Sequence, residues 1–286
     1  MAPTAAPRQR RSVDTTGARG ARLADRADGR RCRDSACRPG RSGVDVVSPQ
    51  VADPTASIVY LHGGAYVSGS PRSYRRLVSH LAAITGRRVY AVDYRLAPEH
   101  PYPAALDDSI AVYTSLLAAE SAETVVLAGD SAGGGLALAT AVRLWDAGAP
   151  LPAALVCIAP WADLSCSGES MRTRARRERM LSPGGLALDA RRYANGENLR
   201  NPLISPLFAD LRGLPPLLIQ VGDDEILLDD ATRLAAKAEA ARVSVTLHVW
   251  PRLWHIWHLY AGLMPEPGAA MRVFADFIAE QVDADG

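Results

Sequence analysis

A serine hydroxyl attacks a carbonyl carbon only when a base takes its proton, an acid orients that base, and donors receive the oxyanion that forms. Gly129-Asp130-Ser131-Ala132-Gly133 sets a serine in the pattern G-x-S-x-G, between an apolar run ending at Asp130 and a small-residue apolar run from Ala132. This spacing predicts a strand that turns sharply at Ser131 and starts a helix, with glycines where the turn has no room for Cβ atoms. The helix start would add free N–H groups and a positive dipole end beneath the hydroxyl. The competing reading is an inert serine in a tight turn, and only partners elsewhere in the chain separate the two.

The stretch Tyr60-Leu61-His62-Gly63-Gly64-Ala65 offers the donors. A glycine pair lets the backbone aim the N–H groups of Gly64 and Ala65, with Gly63 as a further candidate, beside that of Ala132. Alanine at position 65 is acceptable there if its φ stays negative. In G-x-S-x-G sites the acid and then the histidine follow the nucleophile along the chain. Of His62, His80, His100, His248, His255 and His258, that order leaves the last three, and His248 lies inside a strand pattern. His255, in the loop after that strand, is the candidate base; His258 is assigned to the following helix and His62 to bracing the glycine loop. Three acids stand in a row after "PLLIQV": Asp223, Asp224 and Glu225. Asp229 and Asp230 read as the cap and first turn of the next helix. Local chemistry leaves the three open.

The elements that must position these residues show as alternating patterns. Apolar runs at 57–64, 87–94, 123–130, 153–160, 215–222 and 243–250 read as strands, and Tyr74–Thr85, Ala104–Leu117, Ala132–Asp146, Asp229–Ala241 and Gly268–Val282 as helices. Runs buried on both faces and joined by helices predict an α/β fold with a mostly parallel sheet. The stretch Trp161 to Leu214 breaks the alternation and is dense in Arg, Ser, Gly and Pro. An insertion of that length predicts a cap or pocket wall. Trp161, Trp254 and Trp257 are candidates for lining the pocket or for the core. The run "RTRARRERM" (172–180) is either a solvated face or a feature favouring an anionic substrate.

Composition narrows the function classes. The net charge is +1 over 286 residues, so no global field selects nucleic acid or a membrane surface. Residues 1–43 nonetheless carry eleven arginines against four aspartates, with few large apolar side chains, and are expected to be a disordered or atypical N-terminal segment. Residues 44–286 are then one catalytic domain. No apolar run suits a signal peptide or a membrane span, which predicts a cytoplasmic location. The four cysteines form no C-x-x-C pair, so neither a disulfide framework nor a zinc site is expected.

Taken together, these segments resemble the hormone-sensitive-lipase-like branch of the α/β-hydrolases, including bacterial esterases, acetyl-hydrolases and monoterpene-lactone hydrolases. The resemblance rests on His62 to Ala65, "VDYRLAPEHPYPAALDD" (92–108), "GDSAGG" (129–134), "SPLFADLRGLPP" (205–216) and "WPRLWHIWH" (250–258), and spans about Val44 to Phe277. The family's acid motif, Asp-x-Leu-x-Asp, fits Glu225-Ile226-Leu227-Leu228-Asp229, which puts the acid at Glu225, with Asp224 as the alternative. The resemblance implies an α/β-hydrolase fold and two-step hydrolysis of small carboxylic esters or lactones by Ser131, His255 and Glu225. It implies no metal or organic cofactor, no nucleic-acid or membrane partner, and leaves room for a homodimer. N-acetyl amide hydrolysis and a non-catalytic ligand-binding role on the same fold are the alternatives. Family members carry helices at the N-terminus that build part of a cap; residues 1–43 match neither these nor the strands that follow, so a reduced or atypical cap is expected.

Overall fold

The computed structural model describes residues 43–49 and 56–283. The basic segment 1–43 therefore lies outside the described residues, apart from Gly43. Among the described residues a seven-stranded sheet runs in the order β1-β3-β2-β4-β5-β6-β7. Its strands are β1 (Gly43–Val47), β2 (Ser57–Leu61), β3 (Arg88–Asp93), β4 (Val125–Asp130), β5 (Ala154–Ile158), β6 (Leu217–Gly222) and β7 (Val245–Trp250). All pair in parallel except β1, which is antiparallel to β3. The six runs read as strands are present within their expected limits; β1 was not expected. It is a five-residue, half-buried strand at the sheet edge, too short to show a pattern.

The helices are α1 (Arg75–Thr85), α2 (Ala104–Leu116), α3 (Ala132–Asp146), α4 (Ser170–Thr173), α5 (Pro183–Ala194), α6 (Leu228–Ala240) and α7 (Pro265–Val282). Strand residues alternate between faces, so each strand feeds two cores. Val59, Leu61, Val125 and Leu127 face a cluster built with α2, α3, α6 and the 161–214 insertion. Ile58, Tyr60, Val126 and Ala128 face a second cluster built with α1 and α7. The chain is α/β because β2, β4, β5 and β6 are buried on both faces and largely apolar, and need helices over them. The carboxyl ends of the parallel strands β2, β4, β5, β6 and β7 lie along one edge of the sheet, and the loops leaving β2, β4, β6 and β7 build the site. No helix among the described residues is long and apolar enough to cross a membrane.

Candidate active site

Strand β4 ends at Asp130 and α3 begins at Ala132, leaving Ser131 alone in the turn at φ 52°, ψ −121°. That conformation is unfavourable for an L-residue and is held by three backbone hydrogen bonds. The Ser131 N–H donates to the Ile158 carbonyl at 2.8 Å, and the Ser131 carbonyl accepts from Trp161 at 2.9 Å and Gly135 at 3.1 Å. Both flanking glycines are sterically required. A Cβ on Gly133 would strike the Leu61 carbonyl, and one on Gly129 the Gly133 carbonyl. The turn therefore presses against the end of β2, where the glycine loop starts.

Asp130 anchors that loop. Its buried carboxylate accepts the Gly63 N–H at 3.0 Å, the Tyr60 hydroxyl at 2.7 Å and the Tyr74 hydroxyl at 2.8 Å. Burial pushes its pKa up to about 6, against the pull of the two tyrosine hydroxyls. Gly63 is thereby removed from the expected oxyanion donors, since its N–H already has an acceptor. The N–H groups of Gly64, Ala65 and Ala132 have no acceptor among the described residues. Ala65 departs from expectation in another way: its φ is 55°, and Gly64 and Tyr66 also have positive φ, at 121° and 64°. Ala65 thus sits where a side chain costs about 1 kcal/mol. His62 braces the loop: its Nδ1 lies 2.7 Å from the Gly63 carbonyl and its ring stacks on Tyr94 at 4.3 Å. Burial lowers its pKa to about 4, so it is neutral near pH 7.

The loop after β6 separates the three acids that the sequence left together. Glu225 turns inward and is fully buried. Its Oε1 accepts the Gly222 N–H at 2.6 Å and its Oε2 lies 2.7 Å from Nδ1 of the buried His255. Asp224 faces outward to Arg177 at 3.2 Å, and Asp223 accepts the Arg252 N–H at 2.6 Å. A carboxylate only accepts, so Nδ1 carries the donated proton and Nε2 is left basic. Burial alone would lower the His255 pKa; the bond to Glu225 and its charge outweigh burial and hold it above the ordinary 6.5. Burial in turn raises the pKa of Glu225, opposed by its bonds from His255 and Gly222. His258 lies in a short 3₁₀ turn, Trp257–Tyr260, ahead of α7 rather than within it, and its Nε2 is 2.7 Å from Gln220.

A family model of the alpha/beta hydrolase fold matches residues 58–259, a span that contains the serine turn, the glycine loop, the acid loop and His255. The chain belongs to the α/β-hydrolase family. An acetyl-hydrolase of Streptomyces hygroscopicus is 49% identical over 223 residues, covering 78% of this chain and 75% of the relative. An esterase of Acinetobacter venetianus is 39% identical over 236 residues, covering 82% and 78%. Among solved structures, an esterase from the bacterial hormone-sensitive lipase family superposes with a TM-score of 0.83 at 43% identity, covering 84% of this chain and 82% of that one.

Within this α/β-hydrolase, Ser131 and His255 open onto a cavity of about 340 Å³ whose floor includes Gly64 and Ala65. Met180, Leu181 and Asp189 from the 161–214 insertion form its far wall, with Ile256 and Leu259 beside His255. None of the three tryptophans lines it. Trp161 is buried against Tyr66, Trp257 packs with Leu253 and Ala270, and Trp254 meets Tyr260 and Arg179. The arginine run is mostly solvated: Arg172 pairs with Glu169 and Arg177 with Asp224, both arginines exposed. Among the described residues no cluster of His, Cys, Asp or Glu is arranged to hold a metal ion. Asp229 and Asp230 lie in the first turn of α6, but the cap position falls on Leu227 with no side-chain cap bond, so neither aspartate is the expected cap; both do something else. Asp230 accepts the N–H groups of Ala162 and Asp163, and Asp229 that of Ser170, so both fasten the insertion to the sheet. A backbone acceptor role of this kind leaves no signature in residue spacing.

Proposed function

We propose that the chain is a carboxylic ester hydrolase that cleaves short-chain esters or lactones through an acyl-enzyme on Ser131. The observation that carries this reading is the convergence on one cavity of Ser131, of His255 oriented at 2.7 Å by buried Glu225, and of three unpaired N–H groups. His255 Nε2 takes the Ser131 proton as Oγ attacks the carbonyl, and the N–H groups of Gly64, Ala65 and Ala132 receive the oxyanion. His255 then returns the proton to the leaving alcohol. Water, deprotonated by the same nitrogen, releases the acid and restores Ser131.

A cavity of about 340 Å³ is at the small end for ligand sites, which supports small acyl groups. The esterase and acetyl-hydrolase names of the relatives support the reaction class. No cofactor takes part in these steps. The decisive test is a panel of p-nitrophenyl esters of graded chain length, lactones and N-acetyl amides, run with wild type and Ser131→Ala. Ester turnover lost in Ser131→Ala, with loss of covalent labelling by an organophosphate, is the expected result. Equal rates for the two proteins refute the nucleophile, and faster turnover of N-acetyl amides than of esters replaces the substrate class.

A further inference from the structure

The loop that carries Glu225 is held from outside as well as from within the sheet. Its next residue, Ile226, has both backbone polar groups bonded to the 161–214 insertion. The Ile226 N–H donates to Glu178 Oε2 at 3.3 Å, and the Ile226 carbonyl accepts the Ser170 hydroxyl at 2.6 Å. Ser170 is itself fixed by Asp229, which accepts its N–H at 2.9 Å and donates its own N–H to Ser170 Oγ at 3.0 Å. The other oxygen of Glu178 gathers three successive N–H groups of its own segment, Arg179 and Met180 at 2.8 Å and Leu181 at 3.3 Å. Met180 and Leu181 are the cavity wall.

We propose that Glu178 is a positioning residue for the reaction, its carboxylate joining the acyl-pocket wall at Met180–Leu181 to the backbone beside Glu225 and so holding Glu225 on His255. The inference rests on the Ser131, His255 and Glu225 reading given above. The physical case is that a carboxylate gathering backbone N–H groups makes charge-assisted bonds, stronger than neutral ones. The neighbouring Arg177–Asp224 pair is exposed and adds little. Glu178, through a long 3.3 Å bond, is the charged tie between the insertion and the N–H side of Ile226, with Ser170, at 2.6 Å, the tie on the carbonyl side. A shift of about 1 Å in the loop carrying the acid is enough to cost up to about 100-fold in rate. The charges that bear on His255 are Glu225, Glu178 and Asp130, and His258 is the other ring influenced by it. Glu178 thus also favours the imidazolium, which a purely structural strut would not do.

The test uses the full chain with Glu178→Gln, which keeps the side chain's size but loses the charge and one of its two acceptor oxygens. Ser170→Ala serves as a second variant, releasing Ile226 from the opposite side without changing charge. For Glu178→Gln, kcat on p-nitrophenyl acetate is expected to fall about 10- to 100-fold, with the acid limb of the pH profile moved to lower pH. For Ser170→Ala, kcat falls in the same sense while the limb stays in place. A Glu178→Gln protein with kcat within about twofold of wild type and an unmoved limb overturns the inference, as does a Ser170→Ala protein with unchanged kcat. Ser131→Ala in the same series keeps the two readings apart: if it stays active the nucleophile is wrong, and if it is dead while Glu178→Gln and Ser170→Ala behave as wild type, only the role of Glu178 fails.

Discussion

Glu225→Gln is the substitution that most directly probes the assignment of the acid. Glu225 is completely buried and spends one oxygen on the Gly222 N–H at 2.6 Å and the other on His255 Nδ1 at 2.7 Å. Glutamine has one acceptor oxygen for these two donors. If it serves Gly222, its amide nitrogen faces Nδ1 and the imidazole must reverse its tautomer, leaving Nε2 protonated and unable to take the Ser131 proton. The corresponding acid-to-amide change in the serine-protease triad lowers kcat by about 10⁴-fold for this reason, so a loss of about 10³- to 10⁴-fold is expected. Asp224→Asn removes only a pair whose side chains are 25% and 60% exposed, worth at most about 1 kcal/mol, so kcat should stay within about fivefold of wild type. Both variants are assayed at saturating p-nitrophenyl acetate, with circular dichroism to verify folding. A larger loss in Asp224→Asn than in Glu225→Gln refutes the assignment and the orientation argument with it.

Three further outcomes follow from the geometry of the site. Because Glu225 holds the His255 pKa above 6.5, and the base works only when neutral, kcat/KM should rise with pH through an acid limb above 6.5; Glu225→Gln moves that limb down, and a wild-type limb well below 6.5 contradicts the coupling. The same raised pKa contributes stability that is complete below pH 6.5 and is lost as pH rises through the folded value, which urea titrations across that window will read. Ala65→Gly relieves the positive φ of 55° and should stabilise the fold by up to about 1 kcal/mol, less the entropy glycine adds to the unfolded chain, with the N–H donor intact. A fall in Tm together with lost activity would show that the Ala65 methyl is needed in the cavity floor.

How much of this was legible in advance depended on whether the signal was local. The serine turn was readable because a strand, a sharp turn and a helix must follow one another in sequence, and the two glycines of that turn are demanded by carbonyls of Leu61 and Gly133 that any such turn brings close. Strands β2, β4, β5 and β6 were readable because burial on both faces forces largely apolar runs. Strand β1 was not, since a half-buried edge strand of five residues needs neither alternation nor length. His255 came from chain order, and Glu225 from the spacing of Leu227 and Asp229 in the family pattern that the segment resembles rather than from local chemistry.

What residue types and order determined by themselves was the fold class, the serine with its turn, the donor loop and the histidine, all set by patterns within short stretches of chain. Only the tertiary structure decided which of three adjacent carboxylates faces His255, that Gly63 gives its N–H to Asp130, and that Ala65 takes a left-handed conformation. It also decided that Glu178 and Ser170 grip Ile226 from 48 and 56 residues away. A backbone group bonds to any suitable oxygen that the fold carries within about 3 Å of it. Such contacts depend on where distant segments come to rest, and the identity of the residue that donates its N–H carries no trace of them.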